Sequence, residues 1–181
     1  MGNVTILSFM KKVPFQSTEV TLREYDYKSD PEKLVVYLFD KMDSEEGIKA
    51  LKQGDEWLQD PNRVRKRLVA EIEGELYATT TVEQGMNHHT QHRFRLYAVV
   101  TAPQYQGTGL SQILFEYVKE WIKIHGGTLI LVETWETNLR ARRFYEKMGF
   151  NQYAILPNGL KKRTGDGYTN EIMYILEIQT H

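Results

Sequence analysis

The sequence predicts a mixed α/β (α+β) fold, a mostly antiparallel sheet flanked by helices. Three observations carry that reading. Residues 65–72 and 76–82 are β-rich runs joined by Glu73-Gly74-Glu75, which reads as an antiparallel hairpin. Leu110, Ile113, Leu114, Tyr117, Val118, Trp121 and Ile122 fall at i, i+3, i+4, i+7, i+8, i+11 and i+12, one continuous apolar stripe of an amphipathic helix. From residue 93 onward strand and helix patterns alternate as β-α-β-α and end in a hairpin. That order builds a mixed sheet rather than a doubly wound one.

The elements are taken in chain order. Residues 4–9 and 19–23 read as short strands, with Lys11-Lys12-Val13-Pro14 as the turn between them. Asp30-Pro31 opens a helix with an N-cap and a proline at its first position. Leu34, Val35, Leu38, Phe39 and Met42 then keep helical spacing, and a second helix spans 44–51 and stops near Gly54. After the 65–82 hairpin, residues 93–101 form the next strand. The amphipathic helix stops at Gly126-Gly127. Residues 128–133 are apolar on both faces, as in a buried strand. Asn138 caps a helix that stops at Gly149, and Phe150 opens a strand that runs to about Leu156. Gly165-Asp166-Gly167 turns the chain, and 171–178 closes the sheet. No linker interrupts the pattern, so residues 1–181 read as a single domain.

Composition narrows the function classes. Apolar residues make up 41% and charged residues 26%, as in an ordinary globular protein, and the net charge of -1 gives no global field toward nucleic acid or membrane. Cysteine is absent, which excludes disulfides, thiolate metal sites and a cysteinyl acyl-enzyme. No apolar run approaches membrane-spanning length and no charged n-region precedes an apolar stretch at the N-terminus, so a cytoplasmic setting is expected. Charge is segregated locally. Residues 24–60 hold 11 Asp/Glu against 5 Lys/Arg, and residues 139–163 hold 7 Lys/Arg against 1 Glu.

Gln106-Gly107-Thr108-Gly109-Leu110-Ser111 lies between the strand at 93–101 and the amphipathic helix. A glycine turn entering a helix N-terminus gathers unpaired N–H groups at the positive end of the helix dipole, a setting for phosphate. No Lys-Ser or Lys-Thr comes after it, so this is not a Walker A loop. The third position of a dinucleotide fingerprint is Gln112 rather than glycine. What remains is Q-x-x-G-x-[GA], with Ser111 in the last place, preceded by Ala102-Pro103-Gln104-Tyr105. This resembles the acyl-CoA loop of the GNAT superfamily of N-acyltransferases. A second stretch strengthens the resemblance: Glu133-Thr134-Trp135-Glu136-Thr137-Asn138, then Phe144-Tyr145-Glu146-Lys147-Met148-Gly149-Phe150, is similar to the second motif of ribosomal-protein alanine acetyltransferases.

The resemblance implies a GNAT-like acyl-CoA N-acyltransferase fold and an N-acetyltransferase using acetyl-CoA, with no metal. It implies that Gln106, Gly107, Thr108, Gly109, Leu110 and Ser111 hold the pyrophosphate, that backbone amides of Val99, Val100 and Thr101 pair with the pantetheine arm, and that Asn138 touches the cofactor. Amine acetylation by direct attack in a ternary complex needs a base for the ammonium and a donor for the departing sulfur. Glu133 at the end of a buried strand is the candidate base, because partial burial raises a carboxylate pKa. Tyr145, twelve residues on, is the candidate donor. Glu136, Glu83 and Glu71 are rival bases. The bland readings are a packed ring for Tyr145, a salt bridge for Glu133 and a plain helix cap for Asn138. A non-catalytic acyl-CoA-binding or regulatory module is the alternative to an enzyme.

Other features lead elsewhere. His88, His89 and His92 fall in a polar loop with no carboxylate cluster beside them, so no metal site is expected. Arg63, Arg65, Lys66 and Arg67 read as a solvated strand edge rather than a nucleic-acid surface. Arg140, Arg142 and Arg143 suit either solvent or the 3′-phosphate of CoA. The acidic early segment suggests a small cationic amine or a peptide N-terminus as acceptor. No nucleic-acid or membrane partner is expected, and the chain is read as a monomer or homodimer.

Overall fold

The computed structural model describes residues 9–30, 49, 53, 56, 59–61, 63–162 and 165–179. The helix expected from Asp30-Pro31, most of the second helix and nearly all of the first strand lie outside the described residues. Lys49, Gln53 and Glu56 are helical, and the stop expected near Gly54 lies outside the described residues.

Eight strands form one mixed sheet in the order β1-β2-β3-β4-β5-β6-β8-β7. They are β1 Lys11–Phe15, β2 Thr18–Glu24, β3 Arg65–Ile72, β4 Glu75–Gln84, β5 Arg93–Thr101, β6 Leu129–Trp135, β7 Asn151–Lys161 and β8 Tyr168–Glu177. Two α-helices, α1 Leu110–Ile124 and α2 Leu139–Lys147, accompany them among the described residues. Strands β5 and β6 pair parallel, whereas β1–β2, β2–β3, β3–β4, β6–β8 and β7–β8 pair antiparallel. The chain divides into two compact units, one of residues 1–83 and 97–121, the other of 84–96 and 122–181.

In the first unit, Lys11 to Pro14 is strand, not turn. The chain reverses instead at Gln16-Ser17, where Phe15 faces Thr18 and Gln16 has φ +52°. A two-residue hairpin needs a left-handed residue, which Gln16 supplies at a cost of about 1 kcal/mol. Pro14 is tolerated because β1 is an edge strand, where a missing N–H leaves no ladder bond unmade. The hairpin at 65–82 forms as expected, with a tighter turn: Glu73 and Gly74 both have positive φ, at +52° and +85°.

The two faces of β2–β4 differ in kind. Leu22, Leu68, Ala70, Ala78 and Val82 are buried on the α1 side, where Trp121 Nε1 donates to Glu24 (3.2 Å) and Lys11 pairs with Glu120 (2.7 Å). Tyr117 donates to the Phe9 carbonyl. The predicted stripe of α1 is buried, except that Ile113 is only half-buried. The opposite face is polar. Arg23 grips the fully buried Asp30 through both terminal nitrogens (2.6 and 2.9 Å) and also holds Glu71 (2.6 Å). Arg65 and Arg67 are buried as well, Arg65 against Glu83 (2.8 Å) and Arg67 over the Tyr25 ring (4.7 Å). That corrects the reading of this basic run as a solvated edge. Alternation along β3 turns every second residue inward, and the inward arginines find carboxylates and an aromatic face.

In the second unit β6 does not bury both faces. Ile130, Val132 and Thr134 are buried, whereas Leu129, Leu131, Glu133 and Trp135 are half-buried. Helix α2 covers the buried face: Arg142 Nε donates to the Tyr174 hydroxyl (3.2 Å), which donates to Glu146 (3.1 Å). Val132 lies opposite Tyr174 in the register, so both share that face. Gly127 is required by packing, since a Cβ there would lie 2.3 Å from Ile122 and 2.6 Å from Phe94. Strand β7 runs five residues beyond the expected end at Leu156. Pro157-Asn158-Gly159, which looks like a turn, is a bulge after which pairing resumes at Leu160↔Thr169. Among the described residues no helix is long and apolar enough to cross a membrane.

The buried Asp30–Arg23 pair gives a stability test. Asp30→Ala leaves a mostly buried guanidinium with Glu71 alone and frees the Asp26 N–H that Asp30 accepts (2.8 Å). Urea unfolding should show a loss of about 2–4 kcal/mol.

Candidate functional site

The two motifs fall in different units, and each has its own geometry. In the first unit, β5 carries Ala98 with φ +47°, left-handed backbone in the middle of a strand. The β5–β6 register covers Arg93↔Leu129 to Leu96↔Val132 and ends two residues before Ala98. Val99 and Val100, the next two residues, are half-buried, and Thr101 is buried.

A single turn of 3-10 helix, Pro103–Tyr105, then leads to the glycine loop. Gly107 and Gly109 have φ +80° and +99°, which L side chains rarely adopt, so the loop's shape depends on both. Gly109 is also where α1 begins: its carbonyl accepts from Gln112 and Ile113 (3.0 and 3.1 Å). Among the described residues the N–H groups of Gly107, Gly109, Leu110 and Ser111 find no acceptor. No acidic side chain occupies the first turn of α1. Four free donors at the positive end of a fifteen-residue helix make an anion cradle.

Side chains brace this loop. Gln106 Nε2 donates to the Thr101 carbonyl (3.0 Å) and Thr108 Oγ1 to the Tyr105 carbonyl (2.7 Å). Ser111 stands where Gly or Ala is usual in the motif, and its hydroxyl shares a hydrogen bond with that of Thr101 (2.7 Å). The serine therefore ties the loop to the end of β5.

In the second unit, Glu133 lies in β6 directly opposite Met173. Alternation puts it on the half-buried face, away from Val132, Tyr174 and α2. Its carboxylate is 3.2 Å from Arg95 Nε, and its own side chain is only 15% exposed against 46% for Arg95. Burial raises the Glu133 pKa, the charge of Glu171 raises it further, and Arg95 opposes both.

Tyr145 sits on the other face. Its ring is packed among Phe144, Phe150 and Tyr174, with centroids 5.6–5.8 Å away. Only 5% of the residue is exposed, yet its hydroxyl has no hydrogen-bond partner among the described residues. Burial raises its pKa above that of a free phenol, and the charges of Glu133 and Tyr174 add to the rise. At neutral pH the group is a proton-bearing donor with its hydrogen bond unspent. Asn138 caps α2 by accepting from Ala141 N (3.2 Å), as expected.

The rival bases are more committed. Glu83 is held by Arg63 and Arg65, both at 2.8 Å, and its pKa is lowered although burial alone would raise it. Glu71 is held by Arg23, and Glu136 accepts from Asn170 (3.1 Å). Arg142 is engaged by Tyr174 and the Glu136 carbonyl, whereas Arg140 and Arg143 are exposed. His88 and His89 stack in an exposed turn (3.6 Å), and among the described residues no three His, Asp or Glu side chains cluster as a metal site would require. Arg95 escaped the sequence reading. Its place between apolar Phe94 and Leu96 marks it as facing away from the core, but only the register brings it to Glu133.

A profile of the Acetyltransferase (GNAT) family matches residues 21–150. The chain belongs to this family of acetyltransferases. Solved structures agree on the fold. A Desulfovibrio desulfuricans protein assigned to the GNAT acetyltransferases is 24% identical, with a TM-score of 0.70 over 88% of this chain and 99% of that one. The Escherichia coli ribosomal-protein-S18-alanine N-acetyltransferase is 17% identical, with a TM-score of 0.68 over 90% and 96%. An aminoglycoside 6′-N-acetyltransferase solved with coenzyme A is 17% identical, with a TM-score of 0.67 over 88% and 98%. No curated protein sequence matches the chain.

The Glu133–Arg95 pair makes a prediction that needs no substrate. Arg95→Met removes a cation that lowers the Glu133 pKa, so the carboxylate should titrate at higher pH. Carbon-13 NMR of the Glu133 side-chain carboxyl, monitored through a pH titration of wild type and variant, reads this directly.

Proposed function

We propose that residues 1–181 act as a single N-acetyltransferase domain. It transfers acetyl from acetyl-CoA to the primary amine of a small molecule or peptide N-terminus, by direct attack in a ternary complex. The observation that carries this reading is the pairing of a half-buried carboxylate on β6, Glu133, with a buried hydroxyl on α2, Tyr145, that has no hydrogen-bond partner among the described residues. Burial raises the basicity of the Glu133 carboxylate, and the Tyr145 hydroxyl keeps its proton with its hydrogen bond unspent. A non-catalytic CoA-binding module would have no use for that pair.

The residues fit the donor. Gly107, Gly109, Leu110 and Ser111 offer free N–H groups to a pyrophosphate, braced by Gln106 and Thr108, and Val99, Val100 and Thr101 would pair their backbone with the pantetheine arm. Asn138 uses its side-chain oxygen for the cap, which leaves its amide N–H groups for the cofactor. That an aminoglycoside acetyltransferase of the same fold has been solved with coenzyme A supports the assignment. The bound donor supplies a thioester, whose carbonyl is open to attack and whose sulfur leaves.

Glu133 accepts the proton that the amine must lose, directly or through water, and the Arg95 cation beside it favours the ionised carboxylate. The amine nitrogen then bonds to the acetyl carbon as the carbon–sulfur bond breaks. Tyr145 donates a hydrogen bond to the sulfur. Outright proton transfer from it is uphill, because a thiol (pKa about 8.5) is a stronger acid than even a free phenol (about 10). The thiol's proton thus comes in the end from the one released by the amine, passed through Glu133 and solvent.

The described carboxylates of the acidic early segment do not all await a cation. Asp30 is bound by Arg23, Asp60 lies 3.7 Å from Arg63, and Glu24 faces Lys66 and Trp121.

Thiol release from acetyl-CoA with a panel of amines tests the activity. Tyr145→Phe should lower kcat by roughly 10²-fold with little change in the KM for acetyl-CoA. Glu133→Gln should remove the acidic limb of the kcat/KM profile, and a limb that persists would move the base elsewhere. Gly109→Asp forces a side chain onto a φ of +99° and sets a carboxylate among the free N–H groups. Calorimetry should find CoA binding lost in the folded variant.

A further inference from the structure

Ser111 brings to the glycine loop a hydroxyl that Gly or Ala would not. Its oxygen lies 2.7 Å from that of Thr101, so a hydrogen is shared between them. Each hydroxyl carries one hydrogen, and a bond between two hydroxyls uses only one of the pair. Among the described residues neither hydroxyl has another partner, so the second hydrogen is left without an acceptor.

Burial decides which residue holds that hydrogen. Thr101 closes β5 and is only 8% exposed, whereas Ser111 is half-buried in the first turn of α1. If Ser111 donated to Thr101, the spare hydrogen would lie on the buried threonine, where an unmet donor is costly. If Thr101 donates to Ser111, it lies on the less buried serine. The second arrangement is therefore favoured. A side chain in the first turn also leans toward the helix N-terminus, because every Cα–Cβ bond of a helix tilts that way. The spare hydrogen is thus carried to the end of α1 where Gly107, Gly109, Leu110 and Ser111 present free N–H groups and no acidic side chain of the first turn competes. A hydroxyl that accepts one hydrogen bond is polarised toward donating the next.

We propose that the Thr101 hydroxyl donates to the Ser111 hydroxyl and that Ser111 in turn donates to a pyrophosphate oxygen of the acyl-CoA, which gives the cradle a side-chain donor beside its backbone N–H groups. The proposal rests on the reading of this loop as the pyrophosphate site. It asks more of Ser111 than bracing does. A brace needs both hydroxyls equally, whereas the donor to the anion is the serine's alone.

The experiment measures CoA binding by calorimetry, and thermal melting without CoA, in wild type, Ser111→Ala and Thr101→Val. Both substitutions break the bond between the hydroxyls, so both should lower the melting temperature of the free protein. Only Ser111→Ala removes the donor. CoA binding should weaken there by roughly fivefold or more, as for the loss of a hydrogen bond to a charged group, and by clearly less in Thr101→Val. Phosphorus-31 NMR of the CoA complexes reads the pyrophosphate apart from the 3′-phosphate. The pyrophosphate signals should differ between wild type and Ser111→Ala, while the 3′-phosphate signal stays in place. Ser111→Ala installs a residue usual in the motif and should fold. Should Thr101→Val not fold, the affinity and phosphorus spectrum of Ser111→Ala decide. A smaller loss in Ser111→Ala, an equal loss in Thr101→Val, or unmoved pyrophosphate signals overturns the proposal. If Gly109→Asp loses CoA while Ser111→Ala binds it as wild type does, only this inference falls. If wild type binds no CoA, or Gly109→Asp binds it unchanged, the reading of the loop falls as well.

Discussion

The second unit depends on the two-residue period of β6 and β8. Because Val132 and Tyr174 point one way and Glu133 and Met173 the other, a single ladder makes both a packed floor for α2 and a half-buried face with a carboxylate. Sliding either strand by one residue would put Glu133 under the helix and expose Tyr174. The slip is opposed from the helix side: Arg142, Tyr174 and Glu146 are chained by hydrogen bonds, and Tyr145 rests its ring on Tyr174. The contacts that fix the register are the ones that seat Tyr145, so fold and candidate site share one set of interactions.

In the first unit the corresponding constraint is backbone conformation. Ala98, Gly107 and Gly109 all have positive φ within twelve residues. Two are glycines, for which the conformation is easy. Ala98 is not, and a left-handed alanine costs about 1 kcal/mol or more. A strained residue persists where its surroundings hold it, and here it marks the place where β5 leaves its register with β6. The glycine loop beyond it is held by side-chain bonds to backbone and by the Thr101–Ser111 hydroxyl pair, so its free N–H groups are presented on a braced frame.

Much of this was legible in the sequence because the signals were local. A glycine pair before an apolar stripe, a capping asparagine and a glycine stop depend on neighbours a few residues away, and the bounds of β5, α1 and α2 came from them. What was misread depended on partners distant in sequence. Lys11 to Pro14 looked like a turn because proline and lysine are poor strand formers, yet an edge strand tolerates both. The strand opened by Phe150 was expected to end near Leu156, yet β8 continues past it and pairing resumes beyond the bulge. Arg65 and Arg67 looked solvated because nothing in the sequence says that Glu83 and Tyr25 lie beside them. The Arg95–Glu133 pair was invisible for the same reason: residues 38 apart meet only through a parallel register.

The electrostatics of the pair on β6 and α2 bear on how the proposed reaction would be timed. The negative charge of Glu133 is one of the causes that raise the Tyr145 pKa, after burial. While Glu133 is ionised and waiting for the amine, Tyr145 is therefore a poor acid and keeps its proton. Once Glu133 has taken the amine's proton its charge is gone, and the opposition to negative charge near Tyr145 falls with it. The hydroxyl becomes a stronger hydrogen-bond donor as charge builds on the sulfur. The carboxylate on β6 and the hydroxyl on α2 are thus linked, the charge of Glu133 acting on the titration of Tyr145. Proton loss on the amine side would then assist departure of the thiolate with no movement of the backbone, which suits a site built on a packed sheet.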